Sequence, residues 1–476
     1  MPILYTGTTL PISVSVGQTL VVKELTGTAT VTGSSAARED ASSSIGAGFV
    51  VYGPQPSAVS LSMTTTGLCE WQIVNGDATP AKGALRVTLD PITGLDVLDE
   101  GSREVIDASL YKRTPRLKKL QSGIAKVMAG TGQCYIGMLG DSTTVGAGAG
   151  TGAKFLIGAR SKSPTARLAA ALVAAGIPAS DDSWFGEHII QAFQSVTREQ
   201  YDSRFTVSAA ASYHADGQYQ SLGGIPFNLN SAGKAVNFTP TNTVDTVDIY
   251  SYNRVAGVFD VSFAGGASLG TVTNLVTPTI KKTTKTFTRG TGAVQAIWVS
   301  GNVDILGMVA YDSTTPRVNV MNWGTYGDKL TAANGYVNNV NEWRGGAALS
   351  VVAPDLVIVD MTINHEIADG LAGVSAYKAA LTALCNDVVA SGAGLVLATP
   401  HYVNNVAQTT GICDAYVAAI RDVALAFNAP ISDVYRRLDD YATFNTQGMY
   451  ADTLHLTAPG YAAKIQEVMR VINVWS

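Results

Sequence analysis

The sequence predicts a multidomain protein of α/β plus β class. A three-layer α/β/α domain is interrupted by a β-sandwich and preceded by an all-β region. Three observations carry this. The chain has 476 residues, more than one hydrophobic core accommodates, so roughly two to four domains are expected. Continuous apolar runs, "CYIGMLGDS" from Cys134, "PDLVIVDMTIN" from Pro354 and "GAGLVLATPHY" from Gly392, alternate with helical stretches. That is the βαβ rhythm of a parallel sheet buried on both faces. From about Trp184 to Met308, apolar and polar residues alternate with period two between Gly and Asn turns, as antiparallel strands do.

In chain order, residues 1–105 hold short β-branched runs such as "TLVVKELTGTATVTG" and "CEWQIVNGD", cut by Gly, Asn and Asp. They predict an N-terminal all-β module, a spacer or attachment unit that shows no chemistry. Residues 106–130 change character. "LYKRTPRLKKLQSGIAKVMAG" mixes basic residues with apolar ones at helical spacing (Leu117, Leu120, Ile124, Val127) and predicts a linker helix. The α/β domain opens over residues 131–183, where "SPTARLAAALVAAGIP" is a helix with Ser163 as candidate N-cap and Pro164 in its first turn. Residues 184–310 form the inserted, jelly-roll-like sandwich. Residues 311–476 complete the α/β domain with "RVNVMNWGTYG" and the helices "AYKAALTALCNDVVASG", "CDAYVAAIRDVALAFN" and "PGYAAKIQEVMRVINVW".

Composition narrows the function. Charged residues make up 14% and the net charge is −5. With no basic tract, nucleic acid is not an expected partner. No apolar run reaches the ~18 residues a bilayer span needs. The N-terminal stretch lacks the basic region and apolar core of a signal peptide. Cys69, Cys134, Cys385 and Cys413 have neither metal nor disulfide spacing and are expected as reduced packing residues. Neither metal nor cofactor is expected. The loop "TTVGAGAGTG" lacks the G-K-[ST] ending of a phosphate loop, and the G-x-S-x-G elbow is absent.

One junction draws attention. The first buried strand runs into Gly140-Asp141-Ser142 and then into a glycine-rich loop. A serine displayed where a strand breaks is a candidate nucleophile, provided the chain supplies a base, an acid to hold it, and donors for an oxyanion. Of five histidines, His455 stands out: "YADTLHLTAPGYAAKI" places Asp452 three residues before it, ahead of the last helix, with Pro459 in that helix's first turn. By itself D-x-x-H is also compatible with a surface Asp and a capping His.

G-D-S near the start of the α/β domain and D-x-x-H near its end resemble the SGNH/GDSL hydrolase superfamily. Two further blocks of that family have counterparts. "VMNWGTYGD" supplies Asn322 and Gly327, and "PDLVIVDMTINHE" supplies Asn364. The resemblance implies a flavodoxin-like fold and a serine esterase. Ser142 would be the nucleophile, His455 the general base and then acid, and Asp452 the group that orients the imidazole. The backbone N–H groups of Ser142 and Gly327 and the Asn364 amide would form the oxyanion hole. Asp141 is expected to shape the turn. Two positions depart from the pattern. His365 follows Asn364 where the family more often has Asp; it is read either as a polar wall of the substrate site or as a satisfied structural histidine. Trp323 either lines the cleft or is a core or rim aromatic.

An SGNH domain interrupted by a β-sandwich between its first and second blocks resembles esterases of bacteriophage tail fibres and tailspikes, over roughly residues 110–476. This implies a carbohydrate O-acetylesterase in a virion tail, acting on an O-acetylated bacterial capsule or O-antigen. Other phage tail proteins would be its partners, and a homo-oligomer is left open. The inserted sandwich is then read as carbohydrate-binding, with Trp184, Tyr213, Tyr219, Tyr250 and Tyr252 as candidate faces for sugar rings. A general short-chain acylesterase or lipase, and a non-catalytic glycan-binding adhesin, remain as alternatives.

Overall fold

A computed structural model describes residues 115–186, 196–208, 221–252, 256–274, 279–332, 336–337, 344–404, 410–438 and 440–472, together with Ser212–Tyr213 and the strands of the N-terminal region. The chain divides into two compact units, Met1–Lys112 and Arg113–Ser476.

The first unit is antiparallel throughout. Ile3–Leu4, Leu68–Asn75, Gln18–Thr26, Phe49–Tyr52 and Arg38–Asp40 form one sheet in that order. Thr9–Val14, Val59–Thr65 and Ala29–Thr32 form a second. Thr88–Leu89 pairs with Asp96–Val97.

The second unit is built on six parallel strands: β1 Cys134–Gly140, β2 Ala179–Ser180, β3 Val318–Gly324, β4 Leu356–Asp360, β5 Gly394–Ala398 and β6 Ile431–Ser432. Their spatial order is β2-β3-β1-β4-β5-β6. Period-two side-chain alternation sends each strand's apolar residues to two different cores. Ile136, Met138, Val320, Ile358 and Val396 join one cluster. Leu139, Met321, Trp323, Val359 and Leu397 join the other. The first is covered by helices α1 Lys118–Met128, α3 Pro164–Ala174 and α8 Ala458–Ile472. The second is covered by α4 Gly345–Val352, α6 Val374–Ala390 and α7 Thr410–Phe427. Two short helices follow central strands, α2 Ser142–Val145 after β1 and α5 Ile363–Asp369 after β4.

Helix α1 differs from the linker helix expected over residues 106–130. Leu117, Leu120, Ile124 and Val127 are the spaced apolar residues that predicted it, and all are buried where this segment packs on β1, β3 and β5. It is a layer of the α/β unit, held by an apolar face that a solvated tether would not need.

Between β2 and β3 the chain forms two antiparallel sheets. One runs Ser212–Tyr213, Phe227–Leu229, Val303–Tyr311, Val244–Tyr252, Ile280–Gly290, with Ser183–Phe185 also paired to Val303–Tyr311. The other runs Phe205–Val207, Ala235–Phe238, Val294–Gly301, Gly257–Phe263, Ser268–Asn274. Trp184, Phe227, Val247, Ile249, Phe259 and Val294 share one core between them.

The strand Val244–Tyr252 is buried on both faces. Val247 and Ile249 point into the two-sheet core. Tyr250 and Tyr252 point the other way, into the α/β core beside Phe185 and Trp323. This corrects the sugar-platform expectation for Trp184, Tyr250 and Tyr252, whose rings hold layers together with at most 4% of their surface exposed. The side chains of Tyr213 and Tyr219 lie outside the described residues. Among the described residues, no helix is long and apolar enough to cross a membrane. Cys134, Cys385 and Cys413 are buried free thiols.

Candidate active site

Strand order reverses on either side of β1, and the crevice outside the carboxyl ends of β1, β3 and β4 is where such a sheet presents reactive groups. Gly140 ends β1, and a side chain there would collide with Thr144 and the Asp360 carbonyl. Asp141 caps α2 by accepting the Thr143 N–H at 2.9 Å. Ser142 is therefore the first helical residue, with a backbone N–H that points out of the helix end. Asp141 is fully buried. Burial, then the nearby Asp360 carboxylate, pushes its carboxyl up to about 6.

The opening serine is reached from the far end of the chain. Ser142 Oγ lies 3.0 Å from His455 Nε2, and His455 Nδ1 lies 2.9 Å from Asp452 Oδ2. The second Asp452 oxygen accepts the Leu454 and His455 backbone N–H groups at 2.8 and 2.7 Å. Burial acts to raise the Asp452 carboxyl. The hydrogen bond and charge of His455, with those two N–H groups, outweigh it and hold the carboxyl at about 2. A carboxylate can only accept, so Nδ1 carries the ring proton and Nε2 presents its lone pair to the serine hydroxyl.

The glycine-rich loop after Ser142 has a packing reason. Gly146 and Gly148 have φ of 97° and 96°, which favours glycine. A Cβ at Gly148 would sit 2.8 Å from His455 Cβ. The loop thus lies directly against the histidine. Tyr461, in the first turn of α8, donates to the Ala147 carbonyl at 2.6 Å. His401 pins the other side: its Nε2 donates to the Leu454 carbonyl at 2.9 Å. Burial, then the Lys464 charge, holds its imidazole well below the usual range, hence neutral.

The loop after β3 brings the remaining groups. Asn322 is buried and staples β3 to α2, donating to the Thr144 carbonyl at 3.0 Å and accepting the Gly324 N–H at 2.9 Å. Thr325 N–H donates to the Gly140 carbonyl at 3.0 Å. Tyr326 is half-buried, with its ring centroid 6.0 Å from that of His455. Burial, then Asp452 and Asp141, raises its hydroxyl to about 12. Gly327 is exposed at φ 74°. The backbone N–H groups of Ser142 and Gly327 have no hydrogen-bond acceptor among the described residues. Asn364 is half-buried and donates one amide hydrogen to the Asp328 carbonyl at 2.9 Å, which leaves a second hydrogen for a ligand.

Two sequence-predicted substrate residues stand elsewhere. Trp323 is 0% exposed, and its ring lies against Gly137 where any side chain would collide; it is a core residue rather than a wall of the cleft. His365 is also fully buried. Both its nitrogens are engaged: Nε2 accepts the Leu330 N–H at 2.9 Å, and Nδ1 lies 2.9 Å from Asp369 Oδ2. It is a satisfied histidine rather than a polar wall. Sequence reasoning missed Tyr326 and His401. Tyr326 adjoins Gly327 in the second block, a signal that was available; His401 carries no local one.

Among the described residues, no group of three or more His, Cys, Asp or Glu is disposed to hold a metal ion. The arrangement can take the serine proton onto a held imidazole and present fixed donors to a developing negative charge. That is the chemistry of acyl transfer.

Residues 309–463 match the GDSL-like Lipase/Acylhydrolase family. The chain is similar to the solved lipase/acylhydrolase from Enterococcus faecalis, with 20% identity and a TM-score of 0.27, covering 32% of this chain and 76% of that one. A family two carbohydrate esterase from Cellvibrio japonicus is similar at 12% identity and a TM-score of 0.26, covering 58% and 97%. Axe2, an acetylxylan esterase from Geobacillus stearothermophilus, is similar at 20% identity and a TM-score of 0.26, covering 33% and 73%. No curated protein matches the chain.

Proposed function

We propose that this chain, which carries a GDSL-like lipase/acylhydrolase domain, is a serine esterase of the SGNH type. The observation that carries this reading is the unbroken relay Ser142–His455–Asp452, with contacts of 3.0 and 2.9 Å. The family match begins at residue 309. Ser142 lies outside it and reaches its partners because β1 pairs with both β3 and β4.

In the proposed reaction, Ser142 Oγ attacks the ester carbonyl carbon while its proton passes to His455 Nε2. Asp452 holds the imidazole in the required tautomer and stabilises the imidazolium. The carbonyl oxygen becomes an oxyanion that accepts hydrogen bonds from the Ser142 and Gly327 N–H groups and the Asn364 amide. One such donor contributes ~10²–10³ in rate. Collapse of the intermediate breaks the C–O bond, and His455 returns the proton to the departing alcohol. Water, deprotonated by the same imidazole, then releases the acid from the serine ester.

The finer reading is an O-acetylesterase of a bacterial surface polysaccharide, carried on a phage tail. Its support is the sequence resemblance over residues 110–476 and the pair of antiparallel sheets inserted between β2 and β3. The experiment is hydrolysis of p-nitrophenyl esters from acetate to palmitate, with Ser142→Ala as control. Acetate cleavage that falls with chain length and vanishes in the variant is expected. It would lead to acetate release from O-acetylated capsule or O-antigen as the next assay. Equal activity in both proteins would overturn the Ser142 mechanism. A preference for palmitate would overturn the deacetylase reading in favour of a lipase, and no reaction in either protein would favour the adhesin.

A further inference from the structure

The loop from Thr325 to Leu330 carries Gly327, whose N–H is one of the three proposed oxyanion donors. A second donor, Asn364, lies on α5. The rate depends on the spacing of these donors, so whatever fixes the loop to α5 fixes the hole. Three contacts do so, and all come from α5. Asn364 Nδ2 donates to the Asp328 carbonyl at 2.9 Å. His365 Nε2 accepts the Leu330 N–H at 2.9 Å. Asp369 accepts from Lys329 Nζ at 2.6 Å through one oxygen and faces His365 Nδ1 at 2.9 Å through the other. On the loop's other flank, Arg344 binds Asp328 at 2.6 Å and Thr325 at 2.8 Å.

We propose that His365 is a positioning residue of the reaction: its neutral ring clamps the Gly327 loop to α5 and so sets the distance between two oxyanion donors. The inference rests on the esterase reading above. Because Leu330 N–H can only donate, Nε2 must be bare and Nδ1 must carry the proton, donated to Asp369. Tyr377 meets the ring edge-on at 4.9 Å, and Tyr416 donates to the His365 carbonyl at 3.3 Å. The two ring-nitrogen contacts and the Tyr377 edge fix the plane of the imidazole, and the Tyr416 bond holds its backbone. Burial keeps it in the neutral, accepting form, against the pull of the Asp369 carboxylate. Asn364 and His365 are adjacent, so one dipeptide both supplies a donor and holds the loop that supplies another.

The test compares His365→Leu, which removes the acceptor, with His365→Gln, which keeps an acceptor at similar reach. Wild type and Ser142→Ala run in the same p-nitrophenyl acetate assay. His365→Leu is expected to lower kcat about 10- to 100-fold, the scale of an ångström-level misplacement, with KM changed less than about threefold. His365→Gln is expected to recover most of that loss. Hydrogen exchange of the 325–330 amides supplies a readout that needs no catalysis: faster exchange in the Leu variant and near-native exchange in the Gln variant are expected. Leu and Gln variants equally impaired, with equal melting temperatures, would overturn the clamp in favour of simple packing. So would native exchange and native kcat in His365→Leu. If wild type hydrolyses no ester, the esterase reading fails and the exchange result alone decides the clamp.

Discussion

Asp452→Asn is the sharpest probe of the relay, because the substitution is nearly isosteric and its consequence follows from hydrogen-bond polarity alone. The Asp452 carboxyl stands at about 2 against an ordinary 3.8, with burial opposing and His455 leading the favourable contributions. At ~1.4 kcal/mol per pKa unit that gap is worth roughly 2.5 kcal/mol. The side chain is 30% exposed, and solvent screening brings the usable part to about 1 kcal/mol. Lost orientation would therefore cost less than about tenfold in rate. The tautomer costs more. The Asn oxygen would keep the two N–H bonds from Leu454 and His455, which turns its NH₂ toward His455 Nδ1. That nitrogen must then accept, the ring proton moves to Nε2, and the lone pair facing Ser142 is gone. The expected fall in kcat/KM is ~10²–10⁴. Asp452→Ala, whose Nδ1–H can be solvated by water, should be no worse than Asp452→Asn. The assay is p-nitrophenyl acetate hydrolysis at neutral pH, with thermal melts to show that both variants fold. Asp452→Asn within about threefold of wild type would refute the assignment of Asp452 as the orienting acid.

Gly148→Ala adds a methyl 2.8 Å from His455 Cβ, at a φ that disfavours alanine; kcat should fall about 10²-fold by displacement of the imidazole, and unchanged kcat would contradict that contact. Lys464 Nζ and Asp360 Oδ2 form a buried pair at 2.7 Å beneath Asp141. Lys464→Met should cost about 3–5 kcal/mol in urea unfolding by stranding the carboxylate, and adding Asp360→Asn should recover most of it. Glu366 is buried, and burial followed by Asp141 raises its carboxyl to about 8 from 4.5. The unfolded chain loses this proton near 4.5 and the folded chain keeps it to about 8. Stability from this group is therefore full below 4.5 and is lost as pH rises, at about 1.4 kcal/mol per pH unit. The stability advantage of Glu366→Gln over wild type should grow between pH 5.5 and 7.5, and a constant difference would count against this reading.

The parallel sheet was legible because its strands are buried on both faces and read as unbroken apolar runs. Ser142, Asn364, Asp452 and His455 were legible through the resemblance carried by the G-D-S, T-I-N-H and D-x-x-H blocks, and the fold joins Ser142, His455 and Asp452 by contacts of 3.0 and 2.9 Å. The aromatics of the insert were not. Alternation in "VDTVDIYSY" separates Val247 and Ile249 from Tyr250 and Tyr252, yet it cannot say that both faces are covered. Trp323 and His365 were ambiguous for a related reason. Their partners lie far along the chain: Gly137 for the tryptophan and Leu330 for the histidine. The pinning role of His401, on a carbonyl 53 residues away, needed the fold itself. The linker expected around Leu117 was misjudged because basic residues on a helix look the same whether its apolar face meets a sheet or solvent.

The placement of β1 has a consequence for how the protein is made. This central strand finds its sheet partners only after the insert, at Val318–Gly324 and Leu356–Asp360. Ser142 and His455 are 313 residues apart. During synthesis the strand that ends beside Ser142 must wait for these partners while the antiparallel sheets emerge. Pairings this remote in sequence form slowly, because loop-closure entropy is lost before any contact compensates it. The insert therefore lengthens the loop that this pairing must close. A nascent chain that stops short of His455 holds Ser142 without the imidazole that faces it in the folded protein.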